Sequence, residues 1–166
     1  MSIFTFHDLL THNLTSRAEQ TAVIEGERQV SYRELSDQVD ALSTWLVEHN
    51  VNAGDRVGIY LRKSIEEVVA TIAVARVGAV FVNINVQWKL SQLEYVINNC
   101  AIKTLIIDGR GARELRTSNV LSRLDNIIVK GSSSSHPKYT AWQDSLAKTS
   151  VIDRPVINTG LAALLY

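Results

Sequence analysis

The sequence predicts an α/β protein with a mostly parallel, doubly wound sheet flanked by helices. The central observation is residues 54–85, where an apolar strand, a helical segment and a second apolar strand follow one another. Parallel strands need a long crossover, so this order is typical of a right-handed βαβ unit. The second observation is that strand and helix patterns keep alternating as far as residue 129, as a doubly wound sheet requires.

Residues 1–50 are predicted to place a helix, a β-hairpin and a second helix ahead of the sheet. Residues 5–19 carry apolar side chains at spacings of three and four, which indicates an amphipathic helix. Two short β-favouring runs flank a turn at Gly26 and predict a small hairpin. Ser31 and Glu34 have the spacing of a capping box, so the second helix is expected to begin there.

The predicted sheet subdomain comprises residues 51–166. Ser64 with Glu67 and Ser91 with Glu94 repeat the capping-box spacing, so two further helices are expected to begin at these serines. The remaining predicted elements are strands at residues 104–107 and 127–129, a helix over 113–124, and a terminal strand within 160–166. Thr140 and Gln143 also indicate one or two capped helical turns through Trp142 and Leu146.

The composition argues against several classes of function. Seventeen basic and seventeen acidic residues give no net charge, whereas nucleic acid or an anionic membrane would require clustered excess Lys and Arg. The single cysteine, Cys100, cannot form an internal disulfide, so a reducing cytoplasm is expected. The longest apolar stretch, residues 65–77, is interrupted by charges and is too short for a transmembrane span.

No nucleophile, base and orienting residue can be assembled from the sequence, so no catalytic residue and no metal ligand is predicted. The histidines have no paired His or Cys nearby and are interpreted as surface residues: His7, His12, His49 and His136. Gly109 and Gly111 follow a predicted strand, as the glycines of a phosphate loop do. The third glycine of that motif is missing, which favours a plain solvent loop.

Basic residues after two predicted strands are candidate ligands for an anion. Arg110, Arg113 and Arg116 follow one strand, and Trp88 and Lys89 follow another, at the carboxyl edge where open α/β sheets bind ligands. The arginines could grip a phosphate. For the arginines we favour the alternative of a solvated basic helix face paired with neighbouring acids. For Trp88 and Lys89 the alternative is that they cap the sheet and close a turn.

Four segments occur together in an order and at a spacing shared with a known family: residues 31–35, 54–61, 64–67 and 78–85. Their joint occurrence resembles the adenylate-forming AMP-dependent synthetases and ligases. Residues 80–85 followed by Lys89 are similar to the acyl-CoA and aryl-CoA ligases of that family. Asn83 and Val86 stand where the family commonly has prolines, which leaves this loop more backbone freedom.

The resemblance implies a parent enzyme that joins a carboxylic acid to coenzyme A. ATP and Mg²⁺ would serve to form an acyl adenylate with release of pyrophosphate, and the CoA thiolate would then displace AMP. It also implies that Lys89, Arg113 and Arg116 lie near the phosphates of CoA. The alternative is a free-standing α/β binding or interaction module that keeps the sheet without the chemistry.

The family carries its ATP phosphate loop after the strand that residues 160–166 resemble, and its catalytic lysine later still. We therefore expect an N-terminal fragment that is inactive alone and binds no cofactor tightly. Its expected partner is the remainder of the enzyme or a second copy of the chain, because the terminal strand would offer a free edge. Several apolar side chains would also lack packing partners: Phe6, Leu9, Leu10, Leu35, Leu42 and Leu46.

Overall fold

The computed structural model of the protein describes residues 6–131, 136–149 and 163–165. The elements within these ranges are, in chain order, α1 (Phe6–Arg17), β1 (Thr21–Glu25), β2 (Arg28–Ser31), α2 (Tyr32–Glu48), β3 (Arg56–Tyr60), α3 (Ile65–Arg76), β4 (Val80–Asn83), α4 (Leu90–Asn99), β5 (Thr104–Asp108), α5 (Gly109–Leu115), β6 (Asn126–Lys130), β7 (Tyr139–Ala141) and β8 (Ala163–Leu165). Two short 3-10 helices, Asn119–Arg123 and Asp144–Leu146, precede β6 and follow β7.

The main sheet is parallel throughout and confirms the predicted α/β class. Its strand order is β7-β6-β5-β3-β4-β8, and the separate antiparallel hairpin is formed by β1 and β2. From β3 the chain moves to β4 on one side, then returns past β3 to β5 and continues to β6 on the other side. The adjacent strands β3 and β5 therefore mark the topological switch point, where ligands bind in such sheets.

Each face of the sheet is covered by its own apolar core. Helices α1, α2 and α3 pack on one face, and α4, α5 and the first 3-10 helix pack on the other. Successive strand residues point to opposite faces, so Ile106 belongs to the first core while Leu105 and Ile107 belong to the second. Because both faces are buried, these strands read as continuous apolar runs rather than as an alternating pattern.

Two of the three predicted capping sites are present at the starts of their helices. The Ser31 hydroxyl accepts from the Glu34 amide at 3.2 Å, and the Glu34 carboxylate accepts from the Ser31 amide at 2.7 Å, which completes a capping box. The Ser64 hydroxyl accepts from the Glu67 amide at 3.3 Å. The Glu67 carboxylate accepts a charged hydrogen bond from Lys63 at 3.1 Å.

The third predicted cap, Ser91 with Glu94, is wrong. Helix α4 begins one residue earlier, at Leu90, and the backbone amide of Lys89 donates to the Gln92 side chain at 3.0 Å. The Glu94 carboxylate instead accepts from the Ser118 hydroxyl at 2.6 Å. This bond joins α4 to the segment after α5, so a long-range contact replaces the local one.

The predicted helix over residues 113–124 is also wrong in its bounds. Helix α5 begins directly after β5, because the Asp108 carboxylate accepts from the Gly111 amide at 2.7 Å and caps the first turn. It ends at Leu115. The Ser118 hydroxyl then accepts from the Val120 amide at 3.2 Å and starts a separate 3-10 helix.

The helical turn predicted through Trp142 and Leu146 is present only at its end, as the 3-10 helix Asp144–Leu146, and the predicted cap at Thr140 is wrong. Thr140 lies in β7, which pairs in parallel with β6 at one end of the sheet order. The Trp142 amide extends this pairing by donating to the Val129 carbonyl at 2.9 Å. At the other end, β8 pairs with β4 and confirms the terminal strand for residues 163–165, whereas the rest of 160–166 lies outside the described residues.

Residues 6–48 form the predicted helix, hairpin and helix, but their apolar side chains are not left without partners. Four of the leucines are buried in the core that α3 shares with the sheet: Leu10, Leu35, Leu42 and Leu46. Leu9 is exposed, and the Phe6 side chain lies outside the described residues. The predicted apolar patch is therefore wrong for four of its six members, while the predicted boundary at residue 50 stays a prediction.

Candidate anion-binding site

An open cavity of about 660 Å³ lies at the carboxyl edge of the sheet. Its walls come from the ends of β3 and β5, the loops that follow β3 and β4, and the first two turns of α5. Because β3 and β5 are the strands at which the direction of winding changes, the cavity occupies the topological switch point. The cavity is therefore the candidate ligand site of this fold.

The cavity lining carries more positive than negative charge. Its four basic side chains are Arg62, Lys63, Lys89 and Arg110, and its two acidic side chains are Asp108 and Glu114. Arg110 forms an ion pair with Glu114 at 3.3 Å, and Lys63 pairs with Glu67 at 3.1 Å. Within the part of the chain that the structure describes, Arg62 and Lys89 are exposed and have no acidic partner. The unpaired charge favours an anionic ligand.

The glycines after β5 form neither the phosphate loop nor the solvent loop considered from the sequence. Gly109 and Gly111 lie in the first turn of α5, where the Gly111 amide is already bound to Asp108 at 2.7 Å. A Cβ atom at Gly111 would lie 2.8 Å from Ile107 Cδ1 and 3.0 Å from Tyr60 Cε1. Close packing of α5 against β3 and β5 therefore favours glycine at this position, since any larger residue would force Ile107 or Tyr60 to shift.

Tyr60 ends β3 and connects three walls of the cavity. Its hydroxyl lies 2.9 Å from the Trp88 carbonyl and 3.3 Å from the Val86 carbonyl, both in the loop after β4. Its ring packs beside Gly111 of α5. Burial raises the pKa of Tyr60, and the charges of Glu114 and Asp108 raise it further, so the hydroxyl keeps its proton and donates.

The structure separates the three residues that the resemblance assigns to CoA. Lys89 lines the cavity. Arg113 lies on α5 and Arg116 just after it; both are exposed, and neither lines the cavity. Burial raises the pKa of Tyr139, and the nearby charge of Arg116 partly lowers it again. Sequence reasoning missed Arg62, although the rule that selected Lys89, a basic residue just after a buried strand, also applies to it.

A second charged cluster lies at the same edge of the sheet, on the opposite face. The Glu66 carboxylate, in the first turn of α3, lies 2.6 Å from the Lys130 ammonium and 2.8 Å from the Arg28 guanidinium. Burial raises the pKa of Glu66, but the hydrogen bonds from Lys130 and Arg28 outweigh it and lower the pKa to about 2. Glu25 of the hairpin also accepts from the Ile65 amide at 3.1 Å. This cluster fastens the hairpin to α3 and β6.

Among the residues that the structure describes, the other polar side chains form no second candidate site. His12 and His49 are exposed, and the His49 ring stacks on Trp45 with ring centroids 3.7 Å apart. Across residues 6–131, 136–149 and 163–165, no three His, Cys, Asp or Glu side chains are arranged to hold a metal ion. Over the same ranges, none of the helices combines the length and the apolar character needed to span a membrane.

The fold is an open parallel α/β sheet of the class that binds ligands at its carboxyl edge, and the cavity lies at that edge. The chain belongs to the AMP-binding enzyme family of adenylate-forming synthetases, which it matches over residues 10–166. This membership favours the ligase hypothesis over a free-standing interaction module.

Curated relatives with similar sequences are acyl-CoA ligases and synthetases. The chain is 31% identical over 137 residues to a medium/long-chain-fatty-acid–CoA/3-oxocholest-4-en-26-oate–CoA ligase of Mycobacterium tuberculosis. This alignment covers 80% of this chain and 25% of that protein. It is 31% identical over 170 residues to an acetyl-coenzyme A synthetase of Bradyrhizobium sp. (strain ORS 278), covering 90% of this chain and 26% of the relative. The chain thus spans about a quarter of the length of these two proteins.

Solved structures with the same fold are also ligases. The crystal structure of the anthranilate CoA ligase AuaEII in complex with anthranoyl-AMP aligns with a TM-score of 0.87 at 21% identity, covering 98% of this chain and 32% of that one. Coronafacic acid ligase from Pectobacterium brasiliense aligns with a TM-score of 0.84 at 18% identity, covering 98% and 33%. At these identities the likeness shows a common fold.

Proposed function

We propose that the chain forms part of an AMP-forming acyl-CoA ligase. In the first half-reaction a carboxylate attacks the α-phosphorus of ATP, which forms an acyl adenylate and releases pyrophosphate. In the second, the thiolate of CoA attacks the acyl carbon, which forms the thioester and releases AMP. Family membership and the names of the similar relatives support this reaction class.

The cation-lined cavity is the observation that supports CoA binding by this part of the enzyme. CoA bears a diphosphate and a 3′-phosphate, and the unpaired charges of Arg62 and Lys89 suit such a polyanion. Lys89 is therefore retained as a candidate CoA ligand, with Arg62 and Arg110 added. Arg113 and Arg116 remain candidates through their exposed position on and beside α5.

The other participants of the reaction belong to the proposal as well. Mg²⁺ would accompany ATP and neutralise charge on its phosphates. No three metal-ligating side chains cluster among the described residues, so we assign no Mg²⁺ ligand there. The substrate class is a carboxylic acid, the proposed location is the cytoplasm, and the proposed partner of this chain is the rest of the ligase or a second copy.

The proposed function is tested with the full-length protein by acid-dependent exchange of labelled pyrophosphate into ATP. A panel of acetate, fatty acids and aromatic acids covers the acids in the names of the similar proteins. We expect exchange with at least one acid, and thioester formation when CoA is added. Exchange without thioester would limit the proposal to adenylate formation, and no exchange with any acid would contradict it.

A further inference from the structure

The loop after β4 carries Lys89 to the cavity. At its start the Ile84 amide donates to the Ile59 carbonyl of β3 at 3.0 Å, and further along Val86 and Trp88 pack against the second core. Within the loop, the Asn85 side chain accepts from the Gln87 amide at 2.9 Å, and the Asn85 carbonyl accepts from the Trp88 amide at 3.1 Å. These bonds fix a local turn. They do not fix where the turn lies relative to β3 and α5.

The chain has two prolines, Pro137 and Pro155, and neither lies in this loop. Its backbone is therefore not stiffened by proline, and its position depends on contacts with other elements. The Tyr60 hydroxyl supplies such a contact by donating to the Trp88 carbonyl at 2.9 Å, with the Val86 carbonyl also within reach at 3.3 Å. Trp88 is the residue before Lys89, so the bond acts one peptide away from the candidate CoA ligand.

Tyr60 is itself held firmly. The residue is 6% exposed, and its ring is fixed beside Gly111, where even a Cβ atom would come within 3.0 Å of Tyr60 Cε1. The hydroxyl of such a ring has little freedom to move relative to β3 and α5. Its hydrogen bond therefore holds the loop in a fixed position relative to these two elements.

We infer that Tyr60 is a positioning residue that holds the loop carrying Lys89 in the orientation that binds the phosphates of CoA. This inference rests on the proposed function, because it concerns the second substrate of that reaction. Tyr60 acts by fixing Lys89, and removal of its hydroxyl should weaken CoA binding without changing adenylate formation.

The test is Tyr60→Phe in the full-length protein, which keeps the ring and its packing. We expect the KM for CoA to rise about three- to tenfold while kcat and acid-dependent pyrophosphate exchange stay within about twofold of wild type. In a double-mutant cycle, Tyr60→Phe should have no further effect on the KM for CoA once Lys89→Ala is present. An unchanged KM, or effects that simply add, would overturn the inference.

A second measurement reports the loop without relying on activity. Iodide quenching of Trp88, taken as the difference between proteins with and without Trp88→Phe, should increase in the Tyr60→Phe variant. Tyr139→Phe is the matched control, because that hydroxyl also donates to a backbone carbonyl, Ala112 at 2.7 Å, away from the loop. It should lower the Tm and leave Trp88 quenching unchanged.

The two failures can be told apart. If wild type shows no acid-dependent exchange, the proposed function fails. If wild type exchanges normally but Tyr60→Phe changes neither Trp88 quenching nor the KM for CoA, the positioning role fails by itself.

Discussion

The ammonium of Lys130, at the end of β6, lies 2.6 Å from the carboxylate of Glu66, in the first turn of α3. The Glu66 side chain is 9% exposed, so this ion pair is sheltered from solvent. Together with Arg28 it ties the hairpin, a helix and a non-neighbouring strand to one carboxylate. The fold therefore depends on keeping that carboxylate charged.

The pKa of Glu66 gives a prediction for acid stability. Because its folded-state pKa is about 2 and its ordinary value is 4.5, the charged form is favoured by folding. The stabilisation is complete above pH 4.5 and is lost as the pH falls toward 2. We expect Glu66→Gln to lower the free energy of unfolding by about 1–3 kcal/mol at pH 7. Urea unfolding between pH 7 and pH 3 measures both effects.

The control for this prediction is Glu27→Gln, an exposed glutamate in the turn of the same hairpin. It should unfold like wild type at every pH. If Glu66→Gln loses as much stability as wild type between pH 5 and pH 3, the acid sensitivity comes from other carboxylates.

The close approach of α5 to β5 predicts that a larger residue at Gly111 lowers the stability of the fold. In Gly111→Ala the new Cβ would meet Ile107 Cδ1 at 2.8 Å, so the variant should lose about 1–3 kcal/mol of stability through overpacking. Ile107→Val removes that Cδ1 atom and should recover part of the loss in the double variant. Chemical denaturation of the four proteins in this cycle measures the coupling, and strictly additive losses would contradict the steric explanation.

The cap of α5 predicts a difference between two replacements of Asp108. Asp108→Ala removes the acceptor of the Gly111 amide and should cost about 0.5–2 kcal/mol. Asp108→Asn keeps a side-chain oxygen for the same bond and should cost less. Thermal unfolding compares them. Equal losses would mean that the charge of Asp108, rather than its cap, stabilises this region.

The excess positive charge of the cavity predicts a salt-dependent CoA affinity. Arg62→Ala and Lys89→Ala should each weaken CoA binding to the full-length protein several-fold, and the loss should shrink at high salt. Isothermal titration at two ionic strengths measures this. Arg56→Ala is the matched control, since Arg56 begins β3 at the opposite, amino edge of the sheet. Equal effects of Arg56→Ala and Arg62→Ala would indicate a non-specific charge effect.

The two arginines named by the resemblance provide a further comparison. If the cavity holds the CoA phosphates, Arg113→Ala and Arg116→Ala should weaken binding less than Lys89→Ala does, because neither side chain lines the cavity. The same titrations measure the order of the three effects. A larger loss at Arg113 or Arg116 would move the phosphate site from the cavity to the outer surface of α5.

The sequence was sufficient to predict the sheet and its class, because strands buried on both faces are continuous apolar runs with helices between them. The sequence was not sufficient where a single long-range contact determines where a helix begins or whether a short segment forms a strand. The bond from Ser118 to Glu94 removes the predicted cap of α4, and neither residue indicates the other in sequence. Strand β7 has only three half-buried residues and no periodicity, so its pairing with β6 decides its conformation.

The candidate site was predicted in part for a similar reason. Lys89 could be selected because it follows a buried strand, but the choice among Arg110, Arg113 and Arg116 depends on where α5 begins. That start is set by Asp108, which reads in the sequence only as one more acidic residue near a turn. Tyr60 could not be distinguished from an ordinary core tyrosine, since its partners are backbone carbonyls far along the chain.

The charged cluster around Glu66 also bears on the order of events during synthesis. The contact between Glu25 and the Ile65 amide already spans forty residues of sequence, and Lys130 comes much later still. Until β6 has left the ribosome, Glu66 lacks its nearer cationic partner, and among the described residues the polar links from the hairpin to α3 are those of Arg28 and Glu25. Docking of the hairpin is therefore completed only after most of the sheet has emerged, and nascent chains stalled before residue 130 should present the hairpin to proteases.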